Sequence, residues 1–195
     1  MSNSIFDMIM GQLNGDKLRQ LGQQAGTDEG KAKQGMQAVI PVLLGAMERN
    51  AGDGAGAQAL KSALEKDHDG SILDNLGDFL GNPEQGNGSG ILKHVLGERK
   101  GKVEERLAQR SGLEQGALGK LMELAAPLVM GALGQQQKQA GGFNTDMLGE
   151  LLGKQREASE SGGGILGMAA DMLDSDGDGD IMDDLGGIAG KLFGR

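Results

Sequence analysis

The chain reads as an all-α protein, on three observations. Apolar residues recur at i, i+3 and i+4 through most of its length. No segment alternates with period 2, and β-branched residues are few. Two stretches, 86 residues apart, carry the same pattern of a short helix, a Gly turn and a long helix interrupted by proline.

Taken in order, Ile5, Ile9 and Leu13 make one stripe of a short amphipathic helix over residues 3–13, widened by Phe6 and Met10 and ended by Asn14-Gly15. Leu18, Leu21 and Ala25 predict a second helix with Gly26 as its C-cap and Thr27 as the next N-cap. A long helical pattern follows through Met36, Val39, Ile40, Leu43, Leu44 and Met47. Within it Pro41 either kinks the helix or opens a fresh one. The run AGDGAGA (51–57) reads as a loop, and residues 58–66 as a helix using Leu60 and Leu64. Ile72, Leu73, Leu76, Phe79 and Leu80 give a short apolar helix, and NPEQGNGSG (82–90) reads as a flexible linker. ILKHVLG (91–97) is a short helix ended by Gly97. Residues 102–111 and 113–137 are predicted helical, and Met147, Leu148, Leu151 and Leu152 mark one more helix.

The internal repeat rests on Leu21, Gly26, Met36, Pro41, Gly45 and Ala46, which align without a gap on Leu107, Gly112, Met122, Pro127, Gly131 and Ala132. Proline costs ~3 kcal/mol in a helix interior, so its return at one register implies duplication. Each unit ends in P-x-x-x-G-A, whose small pair permits close helix approach. The expected architecture is a duplicated multi-helix bundle of two helix-turn-helix-like repeats (1–157), a Gly-rich linker (158–164) and a C-terminal helix-loop-helix (165–195).

That last part contains the one stretch with a definite chemistry. DSDGDGDIMDDL (174–185) matches the calcium-loop template of the EF-hand. Asp174, Asp176 and Asp178 stand at positions 1, 3 and 5, Gly179 at the turn, and Asp180 offers its carbonyl at 7. Leu185 at position 12 has no oxygen, so closure falls to Asp183 or Asp184, and the affinity is expected to be below that of a tuned sensor. Six Asp lie between Asp174 and Asp184 without a Lys or Arg among them, and their mutual repulsion favours a bound cation. Oxygen ligands point to calcium, with magnesium as the alternative. The plainer reading is a solvated acidic turn, with Asp180 or Asp183 capping the next helix. A degenerate echo, EKDHDGSILDNL (65–76), lies in the body. There Asp67, Asp69, Gly70, Ile72, Asp74 and Leu76 align on Asp176, Asp178, Gly179, Ile181, Asp183 and Leu185. It is either a weaker cation loop or an Asp/Gly turn with Ser71 capping the helix.

Composition bounds the rest. Aromatics are 2%, all four of them Phe, so the core is built from Leu, Ile, Val, Ala and Met. Eleven Met make it adaptable, and 37 Gly imply many helix ends. A net charge of −9 disfavours nucleic acid and anionic membrane as partners. No Cys excludes thiolate chemistry and disulfides. The N-terminus lacks a secretory pattern and no apolar run approaches ~20 residues, so a cytoplasmic protein without a transmembrane segment is expected. There is no nucleophile elbow. GNGSGILK (86–93) and GGIAGKL (186–192) fall short of phosphate loops. Arg99, Lys100, Lys102 and Arg106 read as a solvated helix face.

GILKHVLGERKGKVEERLAQRSGLEQGALGKLMELAAPLVMGALGQQ (90–136) resembles the second half of a bacterial family, domain of unknown function 937. Residues 43–81 resemble its first half, and the likeness covers roughly 5–155. APLVMGALG and HDGSILDNL carry it most specifically. Proteins similar to this often carry an acidic D-x-D-G-D-G tail. The resemblance implies a bacterial helical protein and supplies no catalytic residues. Ile91, Leu92 and His94 match the family's I-L-x-H pattern, which draws attention to His94. The expected function is that of a non-enzymatic interaction protein with a calcium-binding tail, its Met-rich faces meeting a protein partner or a second copy. The alternative is an enzyme or nucleic-acid binder using the region around His94.

Overall fold

A computed structural model describes residues 4–52, 54–142, 147 and 149–154. The expected linker (158–164), the expected helix-loop-helix (165–195) and the candidate metal ligands in it lie outside the described residues. Within them the protein is all-α, without a strand.

α1 (Ile5–Gln12) starts at Ser4, whose side chain accepts from the Asp7 N–H. α2 (Gly15–Ala25) is capped by Asn14, which accepts from the Lys17 N–H, so Asn14-Gly15 opens a helix as well as closing one. Gly26, at φ 74°, ends α2 in the left-handed region. The next cap is Asp28 rather than Thr27: its carboxylate accepts from the Lys31 N–H. α3 (Glu29–Ala51) runs unbroken through Pro41. α4 (Gly54–Lys66) begins almost at once, so AGDGAGA is mostly helix and not a loop. α5 (Ser71–Asp74) and α6 (Leu76–Gly81) replace the single helix predicted over 72–80, with the break at Asn75. α7 (Gly88–Leu96) stops at Gly97, and α8 (Lys100–Ser111) stops at Gly112, φ 66°. α9 (Gln115–Gln139) again contains its proline, Pro127. Residues 147 and 149–154 are helical.

α9 is the axis of the bundle, packed against α1, α2, α3, α4, α5, α7 and α8. Leu118, Leu121, Met122, Ala125, Leu128, Val129 and Leu133 on it are buried with Met36, Ile40, Leu43 and Met47 of α3. Met36, Met47, Met122 and Met130 are core residues, as the composition implies for a chain with few aromatics. Met147 is the large apolar residue that stands exposed among the described residues. By length and composition alone, α9 is also long and apolar enough to cross a membrane. Most of that stretch is buried by the other helices.

The predicted flexible linker 82–90 is a packed corner. Pro83–Gly86 form a 3₁₀ turn. Gly86 and Gly88 are buried, and a Cβ on Gly88 would run into the backbone carbonyl of Glu123. Pro127 removes the N–H that this carbonyl would otherwise receive four residues on. The corner thus lies against the α9 carbonyl that Pro127 leaves without its usual donor. Lys100 of α8 reaches Glu104 (3.3 Å) and Glu123 of α9 (3.4 Å), so part of the expected solvated basic face spans two helices. Burial pulls the Lys100 pKa down, but the two carboxylates outweigh it and hold it above the ordinary value.

Candidate functional site

A cavity of about 340 Å³ opens where α3 ends, between α4 and α7. Met47, Leu60, Ile91, Val95 and Met130 supply its apolar walls. Its polar groups are Asn50, Asp67, His68, Asn87 and His94. Both histidines of the chain, 26 residues apart in sequence, thus line one space.

Each polar group is placed by its element. His94 sits on α7 on the opposite side from buried Leu92 and Leu96, and its ring is exposed at the mouth. His68 follows the end of α4, where its N–H still donates to the Ala63 carbonyl (3.2 Å). It is half-buried, and its carbonyl lies against Gly134 of α9. Burial lowers the His68 pKa, partly opposed by Asp67, so the imidazole is neutral at neutral pH. Asn50 donates from Nδ2 to Ala46 O (3.0 Å) and Val95 O (2.7 Å), tying α3 to α7. Both amide hydrogens are spent, so Asn50 has only Oδ1 to offer a ligand. Asn87 stands before α7 at φ 49°, the one non-glycine residue in the left-handed region among those described. No Lys or Arg lines the cavity.

The body echo of the acidic loop is a capping turn. Gly70 takes φ 93°, and Asp69 Oδ1 accepts from the Ser71 N–H (3.1 Å). Asp69 is therefore the capping side chain, while Ser71 is the first residue of α5. The template needs a free carbonyl at position 7. That carbonyl belongs to Ser71, and it accepts from both the N–H (3.1 Å) and Nδ2 (3.0 Å) of Asn75. Glu65, at position 1, lies in α4 and pairs with Lys61. Asp69 Oδ2 receives Lys138 Nζ of α9 at 2.8 Å. Lys138 and the Ser71 hydrogen bonds hold the Asp69 carboxyl well below the usual carboxylate range. Among the described residues no group of three or more His, Asp or Glu is arranged to hold a metal ion. The turn's geometry is thus that of a cap with a lysine counter-charge.

The sequence matches the family described as bacterial protein of unknown function (DUF937) over residues 7–136, more than half of the chain. The chain belongs to this family. No curated protein and no solved structure matches it. The matched part of this DUF937 chain holds the whole cavity and the capping turn. It ends before the acidic tail, and Asp174, Asp176, Asp178, Asp180, Asp183 and Asp184 lie outside both the match and the described residues.

Sequence reading singled out His94 and passed over His68 as a member of the degenerate loop. The two come together because the α4–α5 turn packs on α9 beside α7. A contact between three helices has no periodic trace in a sequence. The usable signal was His68 at a helix end, flanked by Asp67 and Asp69.

Proposed function

We propose that the protein is a non-enzymatic helical interaction protein whose acidic C-terminal segment is charge-balanced by calcium, with magnesium as the alternative ion. The observation that carries this reading is the pairing of Asp69 with Lys138. Where the fold uses a D-x-D-G turn, it supplies a cation from a neighbouring helix. The tail version carries six Asp between Asp174 and Asp184, and no Lys or Arg appears from Asp174 to Gly190. An external divalent ion supplies the missing charge, held by Asp174, Asp176, Asp178 and the Asp180 carbonyl, and closed by Asp183 or Asp184. The ordered tail then presents its apolar residues to a protein partner or a second copy.

Calorimetric titration of calcium into the full chain and into Asp176→Ala tests the proposal. Saturable heat is expected in the wild type, with at least a ~10-fold weaker constant in the variant, since the loop template tolerates few lost ligands. Absence of calcium heat in the wild type sinks the ion. Equal constants in the two proteins sink the loop assignment. Sedimentation with and without calcium reads whether a second copy is the partner.

A further inference from the structure

We propose that the cavity between α3, α4 and α7 binds a small organic ammonium compound, its apolar part against the aliphatic walls and its cationic head toward Asp67, His68 and Asn50. This goes beyond the calcium reading, uses none of the tail residues, and stands or falls separately.

The volume, about 340 Å³, lies in the range of small-molecule sites. The walls are aliphatic and thioether, from Met47, Leu60, Ile91, Val95 and Met130. Methionine adapts to differently shaped apolar bodies. The polar groups decide the ligand's charge. Asp67 is an exposed carboxylate at the mouth. Asn50 has spent both donors on Ala46 and Val95. His68 is neutral at neutral pH, with one ring nitrogen able to accept a hydrogen bond. No Lys or Arg lines the space, and the chain carries −9 overall. A carboxylate or phosphate ligand would find no Lys or Arg in the lining and would meet the Asp67 carboxylate. An ammonium brings the positive charge that pairs with Asp67 and a donor for the Asn50 and His68 acceptors. His94, exposed on the opposite rim, offers a ring edge to the ligand's outer part. A metal ion is a poorer fit, since His68, His94 and Asp67 do not form a three-ligand group.

The chain has only two histidines, so ring-proton spectra of the full-length protein contain two imidazole signals, and both report on this cavity. The probes are octylamine and octanoate, which share an alkyl chain and differ in head charge. Octylamine is expected to shift both signals saturably, and octanoate to leave them in place. Ala59 lies exposed at the mouth on α4, so Ala59→Leu narrows the cavity without entering the core. It should weaken octylamine binding by about ten-fold, as expected where a ligand loses its close-packed fit. Asp67→Asn should weaken it by about three-fold, the scale of an exposed charge pair. Three results would each overturn the proposal: no saturable shift with octylamine, equal shifts from octanoate, or octylamine binding undiminished in Ala59→Leu. Retained helical circular dichroism in both variants verifies that they fold.

Discussion

The segments α2–α3 and α8–α9 align at a constant offset of 86 residues, yet they use their small residues in different ways. In each, a glycine near φ 70° (74° at Gly26, 66° at Gly112) turns the chain into a long helix with an internal proline. On α9, Gly134 faces backbone, where a Cβ would strike the His68 carbonyl, while Gly131 faces the Ile72 side chain. On α3, Gly35 faces side chains, and a Cβ there would strike Leu121 and crowd Leu113. Gly35 and Leu121 are equivalent positions under the offset and also meet each other. Two leucines at that contact would overfill it and two glycines would leave a void, so one of each is what packs. Near-symmetric segments that touch at equivalent positions must diverge there.

The largest expected break in this comparison is Gly134→Ala. A backbone oxygen cannot rotate aside as a leucine can, so the α4–α5 turn must leave α9. A loss of about 3 kcal/mol or more is expected in urea unfolding. A loss under about 1 kcal/mol would mean that the turn moves freely on α9. Gly35→Ala should cost less, about 1–3 kcal/mol, because Leu121 can adjust. The contact is sharpened by a double-mutant cycle with Leu121→Ala, which itself opens a cavity costing about 2–5 kcal/mol. The pair should cost less than the sum of the singles by about 1 kcal/mol or more. Strict additivity would show that the two residues do not share a contact. The smallest effect separates the helix starts. Asp28 caps α3 through the Lys31 N–H, whereas Glu114 makes no side-chain cap on α9. Asp28→Ala should cost about 1 kcal/mol, and Glu114→Ala should fall within about 0.5 kcal/mol of wild type. Equal losses in thermal melts would erase the distinction.

A related contrast holds between the capping turn at 65–76 and the acidic tail. Their residues align from Asp67 and Asp176 to Leu76 and Leu185. The body turn neutralises Asp69 with a lysine 69 residues away and commits its position-7 carbonyl to Asn75. Asn75 belongs to the twelve-residue motif, but Lys138 lies far outside it, so the motif alone does not show the counter-charge that makes 65–76 a capping turn. The calcium titration asks whether the tail is such a cap or a cation loop.

Much of the helical layout was legible. Ile5 and Ile9, Leu18 and Leu21, and the run from Met36 to Met47 gave helices at their periodicity, and Gly26 and Gly97 stop helices as their positions suggest. The errors fall where glycine serves packing and not chain reversal. AGDGAGA and NPEQGNGSG look like loops, because composition cannot tell a glycine needed for freedom from one needed for thinness. Gly88 is thin so that the chain can lie on the Glu123 backbone, a contact with a distant helix that the local sequence does not reveal.

By itself, then, the sequence determined the all-α class and the paired proline helices, which depend on periodicity and spacing along the chain, and the family, which rests on its likeness to particular phrases such as APLVMGALG. Tertiary structure alone decided that α9 is the central helix and that His68 and His94 share a cavity. Those outcomes depend on which surfaces touch, and contact between residues far apart in the chain is settled by packing, not by local pattern.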